Sequence, residues 1–216
     1  MSSKAMSGRE ADPAPYWRDA CQALSAADPV LGALIEASQG AVLRPRDDPF
    51  FSLARSVVGQ QISVMAAESV WRKLVAQCAA ITPQAFAEQS ADDLRACGLS
   101  RQKVTYMHGL AAHFLDGGVD AGAWPDMDDE AIIKQLTAVK GIGRWTAEMF
   151  LIFHLLRPDV MPVGDIGIQK AIANHYASGT RPGPKEMIAI AEIWRPWRSV
   201  AVWYLWRSLD AVPVEY

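Results

Sequence analysis

Apolar residues recur along this chain every three or four positions, and no stretch alternates convincingly with a period of two. Side chains at that interval stay on one face of a helix, so the pattern predicts helices and argues against a sheet. In RQKVTYMHGLAAHFL, for example, Val104, Met107, Ala111 and Phe114 form one apolar face. Start signals agree. Asp48 before Pro49 is an N-cap with proline at the first helical position, Ser63 can cap VMAAESVWRKLVAQC, and Thr82 with Pro83 opens a short helix. SADDLRACG reads as a helix closed by Gly98, and DDEAIIKQLTAV as one running to Lys140. RWTAEMFLIFHLL, DIGIQKAIANHYA, PKEMIAIAEIWR and PWRSVAVWYLWRSLDA follow. The fold class is all-α, with roughly ten helices.

A chain of 216 residues has room for one large domain or two small ones. Hydrophobic residues make up 50% and charged residues 21%, the profile of a soluble globular protein. The longest apolar run, MFLIFHLL, is too short to cross a bilayer, and MSSKAMSGREADPAPYW lacks the apolar core of a secretory signal. That segment reads as a loose leader up to about Pro15, rich in Ser, Gly and Pro. Cys21, Cys78 and Cys97 form no Cys-x-x-Cys pair, which argues against zinc and iron–sulfur ligation and suits a reducing cytoplasm. A net charge of −3 confines any nucleic-acid site to a local patch assisted by backbone amides.

Two features stand out from this helical background. In VKGIGRW, Gly141 and Gly143 sit one residue apart between two helices. Glycine accepts positive φ, allowing a tight reversal and leaving amides uncovered where the next helix begins at Arg144. The reading is either an ordinary helix–helix turn or a phosphate site at a helix N-terminus. Asp165, in PVGDIGIQKAI, precedes another helical run. It is a good N-cap, yet Val163, Ile166 and Ile168 make an apolar setting in which a carboxylate needs a task or partners.

Hairpin, helix and aspartate in that order resemble the helix-hairpin-helix DNA glycosylases, and most closely their 3-methyladenine glycosylase II (AlkA-type) branch. The resemblance runs over residues 50–206 and is carried by VVGQQISVMAA, LTAVKGIGRWTAEMF, DVMPVGDIGIQK and AEIWRPWRSVAVWYLW. It implies two helical domains with the active-site cleft between them. Residues 1–51 would supply a leader and helices that pack with the C-terminal domain. Residues 52–157 would form the central domain ending in the hairpin, and residues 158–216 would carry the catalytic Asp. The chain departs from the larger bacterial form in having about fifty residues before the first motif, in place of a β-rich domain.

The resemblance also implies a chemistry. A glycosylase flips a damaged nucleotide into a pocket and fills the gap with an inserted side chain. Gln60 and Gln61 match that wedge, with Gln61 preferred. Asp165 would stabilise the oxocarbenium-like transition state, and Trp145 and Trp206 would stack on a cationic base such as 3-methyladenine or 7-methylguanine. Met149 falls where the larger form has a tyrosine. Gly141, Gly143, Arg144, Arg101 and Lys103 would contact DNA, and the carbonyls of Thr137, Val139 and Ile142 would hold a sodium or potassium ion. Strand-cutting relatives carry a Schiff-base lysine at position 145; Trp145 implies base release without strand cleavage. No other cofactor is implied. The expected partner is double-stranded DNA with alkylated bases, met by a monomer in the cytoplasm near the nucleoid, with no membrane involved. The competing readings are a non-catalytic helix-hairpin-helix DNA-binding module, and a glycosylase for neutral lesions such as hypoxanthine or ethenoadenine. The latter needs a proton donor, a role that no motif gives His108, His113, His154 or His175.

Overall fold

In the computed structural model, residues 13–45, 48–177 and 179–209 are described. They contain twelve α-helices: α1 (Trp17–Ala27), α2 (Pro29–Ala37), α3 (Pro49–Gly59), α4 (Val64–Cys78), α5 (Pro83–Glu88), α6 (Ala91–Ala96), α7 (Arg101–Leu115), α8 (Asp129–Thr137), α9 (Arg144–Phe153), α10 (Ile166–Tyr176), α11 (Pro184–Ile190) and α12 (Arg198–Arg207). Short 3-10 turns lie at Trp124–Asp126 and Ala191–Trp194. Among the described residues there is no strand, and no helix is long and apolar enough to cross a membrane.

Local chemistry starts most of these helices. Asp28, Asp48, Ser63, Thr82, Ser90, Ser100, Asp128 and Asp165 each accept a first-turn backbone N–H through the side chain. These bonds satisfy donors that the helix itself leaves unpaired. The periodicity overran one end: α8 stops at Thr137, three residues short of Lys140. There the chain tightens, with Val139 N–H donating to the Leu136 carbonyl, and turns so that Val139 and Ile142 are buried. The two helices nearest the N-terminus were not separately resolved by the pattern, and the leader expected up to Pro15 lies, as far as residue 12, outside the described residues.

Packing pairs distant parts of the chain. The principal contacts of α3 to α9 are with one another, as in α5 on α7 and α3 on α9. Helices α1 and α2 instead pack on each other and on α12, which also holds α10. Phe50 meets Phe86 and Phe114 edge-on in the first set, and Trp17 meets Trp203 edge-on in the second. Asp28 fastens that second set. Its Oδ1 caps α2, while its Oδ2 accepts from Tyr176 Oη on α10 and from Trp194 Nε1, each at 2.8 Å. Burial and the adjacent Asp28 carboxylate push the Tyr176 phenol far above its ordinary value, so it remains a donor.

Asp28→Ala removes a cap and strands two donors, one of them the fully buried Trp194 indole. We expect a loss of about 2–4 kcal/mol in urea unfolding. A loss under about 1 kcal/mol would mean that water replaces the carboxylate.

Candidate active site

The hairpin between α8 and α9 is shaped by one glycine. Gly141 has φ +98, and a Cβ there would lie 2.3 Å from the Tyr106 ring, so neither the conformation nor the space admits a side chain. Gly143 differs from the expectation: its φ of −87 is ordinary extended backbone, and it serves as the N-cap of α9 without a side-chain bond. The helix thus begins at an exposed residue with no side chain over its first amides. Gln60 Nε2 donates to the Gly141 carbonyl at 3.0 Å, tying the end of α3 to the hairpin.

Two cations beside this hairpin are engaged internally, while Lys140 within it is exposed. Lys103 Nζ donates to the Val58 and Gln60 carbonyls at 2.6 and 2.7 Å, closing the C-terminal end of α3. Burial lowers its pKa. Arg144 makes a two-pronged bond to Glu130 and reaches Glu148 at 2.9 Å. Both side chains were expected to contact phosphate, and in this structure both hold internal partners. Arg101 remains exposed at the first position of α7. Gln60 is half-buried, whereas Gln61 is exposed with φ +59, beside an Ile62 that is 41% exposed.

Asp165 is the most heavily bonded acid of the region. It is 5% exposed and caps α10, its Oδ1 accepting from Ile168 N at 2.7 Å and from Trp206 Nε1 at 2.8 Å. Its Oδ2 accepts from Trp145 Nε1 at 2.7 Å. Three donors on α9, α10 and α12 therefore converge on one carboxylate. Trp206 is held from its other side by stacking on Phe153, with centroids 5.5 Å apart.

Trp145 links this carboxylate to a pocket. Its N–H meets Asp165, and its ring lines a cavity of about 630 Å³ between α3, α4 and α9. Met149, Gln60, Gln61 and Gly143 also line it. Trp206 bonds the other oxygen of the acid and is not among the lining residues, whereas Trp145 both bonds the acid and lines the pocket. A volume in this range suits a nucleobase-sized ligand.

Comparison with known proteins places this geometry. The HhH-GPD superfamily of base excision DNA repair proteins matches residues 54–196. The chain belongs to that superfamily. DNA-3-methyladenine glycosylase 1 of Schizosaccharomyces pombe is 32% identical over 167 residues, covering 76% of this chain and 73% of that protein. Bacillus subtilis YfjP is 37% identical over 128 residues, or 59% of this chain; the match spans only 45% of YfjP. Among solved structures, a Bacillus halodurans DNA-3-methyladenine glycosidase superposes with TM-score 0.80 at 33% identity, covering 91% of this chain and 92% of that one. The S. pombe Mag1 glycosylase in complex with abasic DNA gives 0.77 at 28% identity, covering 92% and 100%.

In this HhH-GPD chain, several site residues escaped the sequence reading. Gly167 matters because a Cβ there would lie 3.1 Å from Asp165 Oδ1 and from the Trp206 ring. The glycine two residues after the Asp was the available signal. Arg55, Glu68 and Trp71 in the pocket wall carried no local signal, since each looks like part of an ordinary helix. Glu148 was hidden in an apolar run. Burial pushes its carboxyl above the ordinary range, Arg144 opposes this, and the charges of Glu130 and Asp165 add to the rise.

The folded protein therefore keeps a proton on Glu148 at pH values where the unfolded chain has released it. That contribution to stability is present at low pH and lost as pH rises through the folded value. Glu148→Gln has no such loss. The melting temperature of the variant minus that of wild type should therefore increase from about pH 4 to about pH 7. A difference flat with pH would show that Arg144 fully offsets the burial.

Proposed function

We propose that this chain is a monofunctional DNA glycosylase of base excision repair, which flips alkylated purines such as 3-methyladenine and 7-methylguanine out of duplex DNA and releases them hydrolytically. The observation that carries this reading is the Asp165 carboxylate, locked by two indole N–H groups, one of whose rings lines a nucleobase-sized pocket. A non-catalytic hairpin module needs the hairpin but has no use for that buried acid. A neutral lesion needs a proton donor; the pocket lining contains no histidine, and its one carboxyl, Glu68, is paired with the Arg55 guanidinium at 2.8 Å. Kinship to proteins named as 3-methyladenine glycosylases, one solved with abasic DNA, points the same way.

The chemistry follows from the arrangement. A 3- or 7-alkylated purine is already cationic and leaves without an acid. The barrier that remains is positive charge growing on the sugar, and a fixed carboxylate lowers it. A carboxylate offers about four lone-pair positions, of which three are used here, leaving one on Oδ2 for water or sugar. Because the donors hold Asp165 before substrate arrives, little reorganisation is needed during reaction. Gln61, exposed at the α3–α4 turn, is the wedge in this reading, since Gln60 is bonded inward. The open N-terminus of α9 and Arg101 would meet phosphate.

A sodium or potassium ion at the hairpin fits the donor chemistry. The carbonyls of Thr137, Val139 and Ile142 are hard oxygens, and the Val139 oxygen, which accepts from Ile142 N–H at 3.0 Å, keeps a second lone pair. Such an ion would supply positive charge toward a phosphate.

Asp165→Asn should retain affinity for abasic DNA while losing base release by at least about a hundredfold, measured in single turnover on methylated DNA. Near wild-type release by the folded variant would remove Asp165 from the mechanism. Since residue 145 is tryptophan, borohydride reduction during turnover should trap no enzyme–DNA adduct. An adduct would show a lyase with an unrecognised amine nucleophile.

A further inference from the structure

The pocket beside Trp145 is mainly apolar, and its lining includes two charged side chains, Arg55 on α3 and Glu68 on α4. They pair at 2.8 Å, with side chains 33% and 46% exposed. An ion pair this open to water contributes little to stability, so packing energy does not explain it. Its position is nevertheless fixed. The Arg55 guanidinium lies over the buried Trp71 ring, 5.4 Å from its centroid, and Trp71 also lines the pocket. Arg55 thereby holds Glu68 against the cavity. The two groups together present a planar donor next to an anionic acceptor.

That pairing complements a purine edge. Adenine derivatives carry an amino donor next to a ring-nitrogen acceptor, and guanine derivatives carry a carbonyl next to an N–H. A cationic purine adds positive charge, which is costly to desolvate against an apolar wall and is attracted by a carboxylate. Stacking on Trp145 reads the flat shape of a base and tolerates any purine. A carboxylate adds discrimination by charge beyond the cation–π preference of the ring.

We infer that the Arg55–Glu68 pair is the base-reading element of this pocket: Glu68 accepts the N–H donors of a cationic alkylated purine, and Arg55 donates to the neighbouring acceptor. Glu68 is then a specificity-determining residue that favours cationic over neutral bases. The inference rests on the glycosylase reading above and identifies how that site selects its substrate.

The test is Glu68→Gln in the full chain, which keeps the side-chain length and an acceptor for Arg55 but removes the charge. Three quantities are read: single-turnover release of 3-methyladenine and 7-methylguanine from methylated duplex, affinity for the same duplex bearing an abasic site, and melting temperature. We expect release of both bases to fall about tenfold, the effect of one charge-assisted contact. Affinity for abasic DNA, which places no base in the pocket, should stay within about twofold. Glu68→Asp, which retains the charge, should recover part of the lost release. Unchanged release, or abasic-DNA affinity falling in step with release, overturns the inference. If wild-type protein releases neither base, the glycosylase reading falls and takes the inference with it. If wild type is active and Glu68→Gln equals it, the inference alone is wrong.

Discussion

A single buried carboxylate organises the place where α9, α10 and α12 meet. Asp165 accepts hydrogen bonds from Trp145 on α9, Ile168 on α10 and Trp206 on α12. A carboxylate this far from water is tolerable only when its oxygens are occupied, and here they are occupied by groups that cannot themselves be moved cheaply. The Trp206 ring is stacked on Phe153, and the Ile168 amide belongs to a helix that Asp165 itself starts. The constraint reaches down to backbone composition. Position 167 is glycine, where any Cβ would crowd both Asp165 and Trp206. Buried charge, helix start and inter-helix contact are therefore one structure.

The hairpin shows the opposite economy of charge. Lys103 is turned onto the carbonyls that end α3, and Arg144 is held by Glu130 and Glu148. With Lys103 and Arg144 used to build the hairpin, and a net charge of −3, the groups left facing outward there are the amides at the open start of α9 and the exposed side chains of Arg101 and Lys140. A surface with few free cations would release few counterions on meeting a polyanion, so contact through it would depend only weakly on salt. The same economy explains why Gln60 and Gln61 differ. Gln60 fastens α3 to the Gly141 carbonyl, and the left-handed turn at Gln61 puts the next side chain into the open.

Helices, caps and the order of hairpin and aspartate were legible in the sequence because each depends on neighbours within a few residues. Asp48 with Pro49, Ser63, and Thr82 with Pro83 start helices where the residue types said they would. What was not legible depends on approach between distant segments. Lys103 looks like a surface cation until the end of α3, some 43 residues earlier, is folded against it. Trp206 was expected to face a base, and its bond to Asp165, 41 residues away, carried no local signal. Arg55 and Glu68 sit on different helices, and nothing near either predicts the other. Even the hairpin was half read: Gly141 needs its positive φ, whereas Gly143 only needs to be uncapped.

Asp28 provides an internal comparison for Asp165. Both are buried, both cap a helix, and both accept from an indole N–H and a second aromatic side chain. By hydrogen-bond inventory the two cages are near equivalents, and a search for buried, well-bonded acids would return both. They differ in what the aromatic donors do with their remaining surface. Trp194 is fully buried and Tyr176 packs against it, so the Asp28 cage ends in core. Trp145 is half-buried, and its ring forms part of a cavity wall that also holds Met149, Arg55 and Glu68. The same arrangement that joins helices at Asp28 can therefore deliver a fixed negative charge to a ligand at Asp165, because one of its donors opens onto a pocket. That opening is what separates the two cages, and the cage itself is a means of holding the charge still.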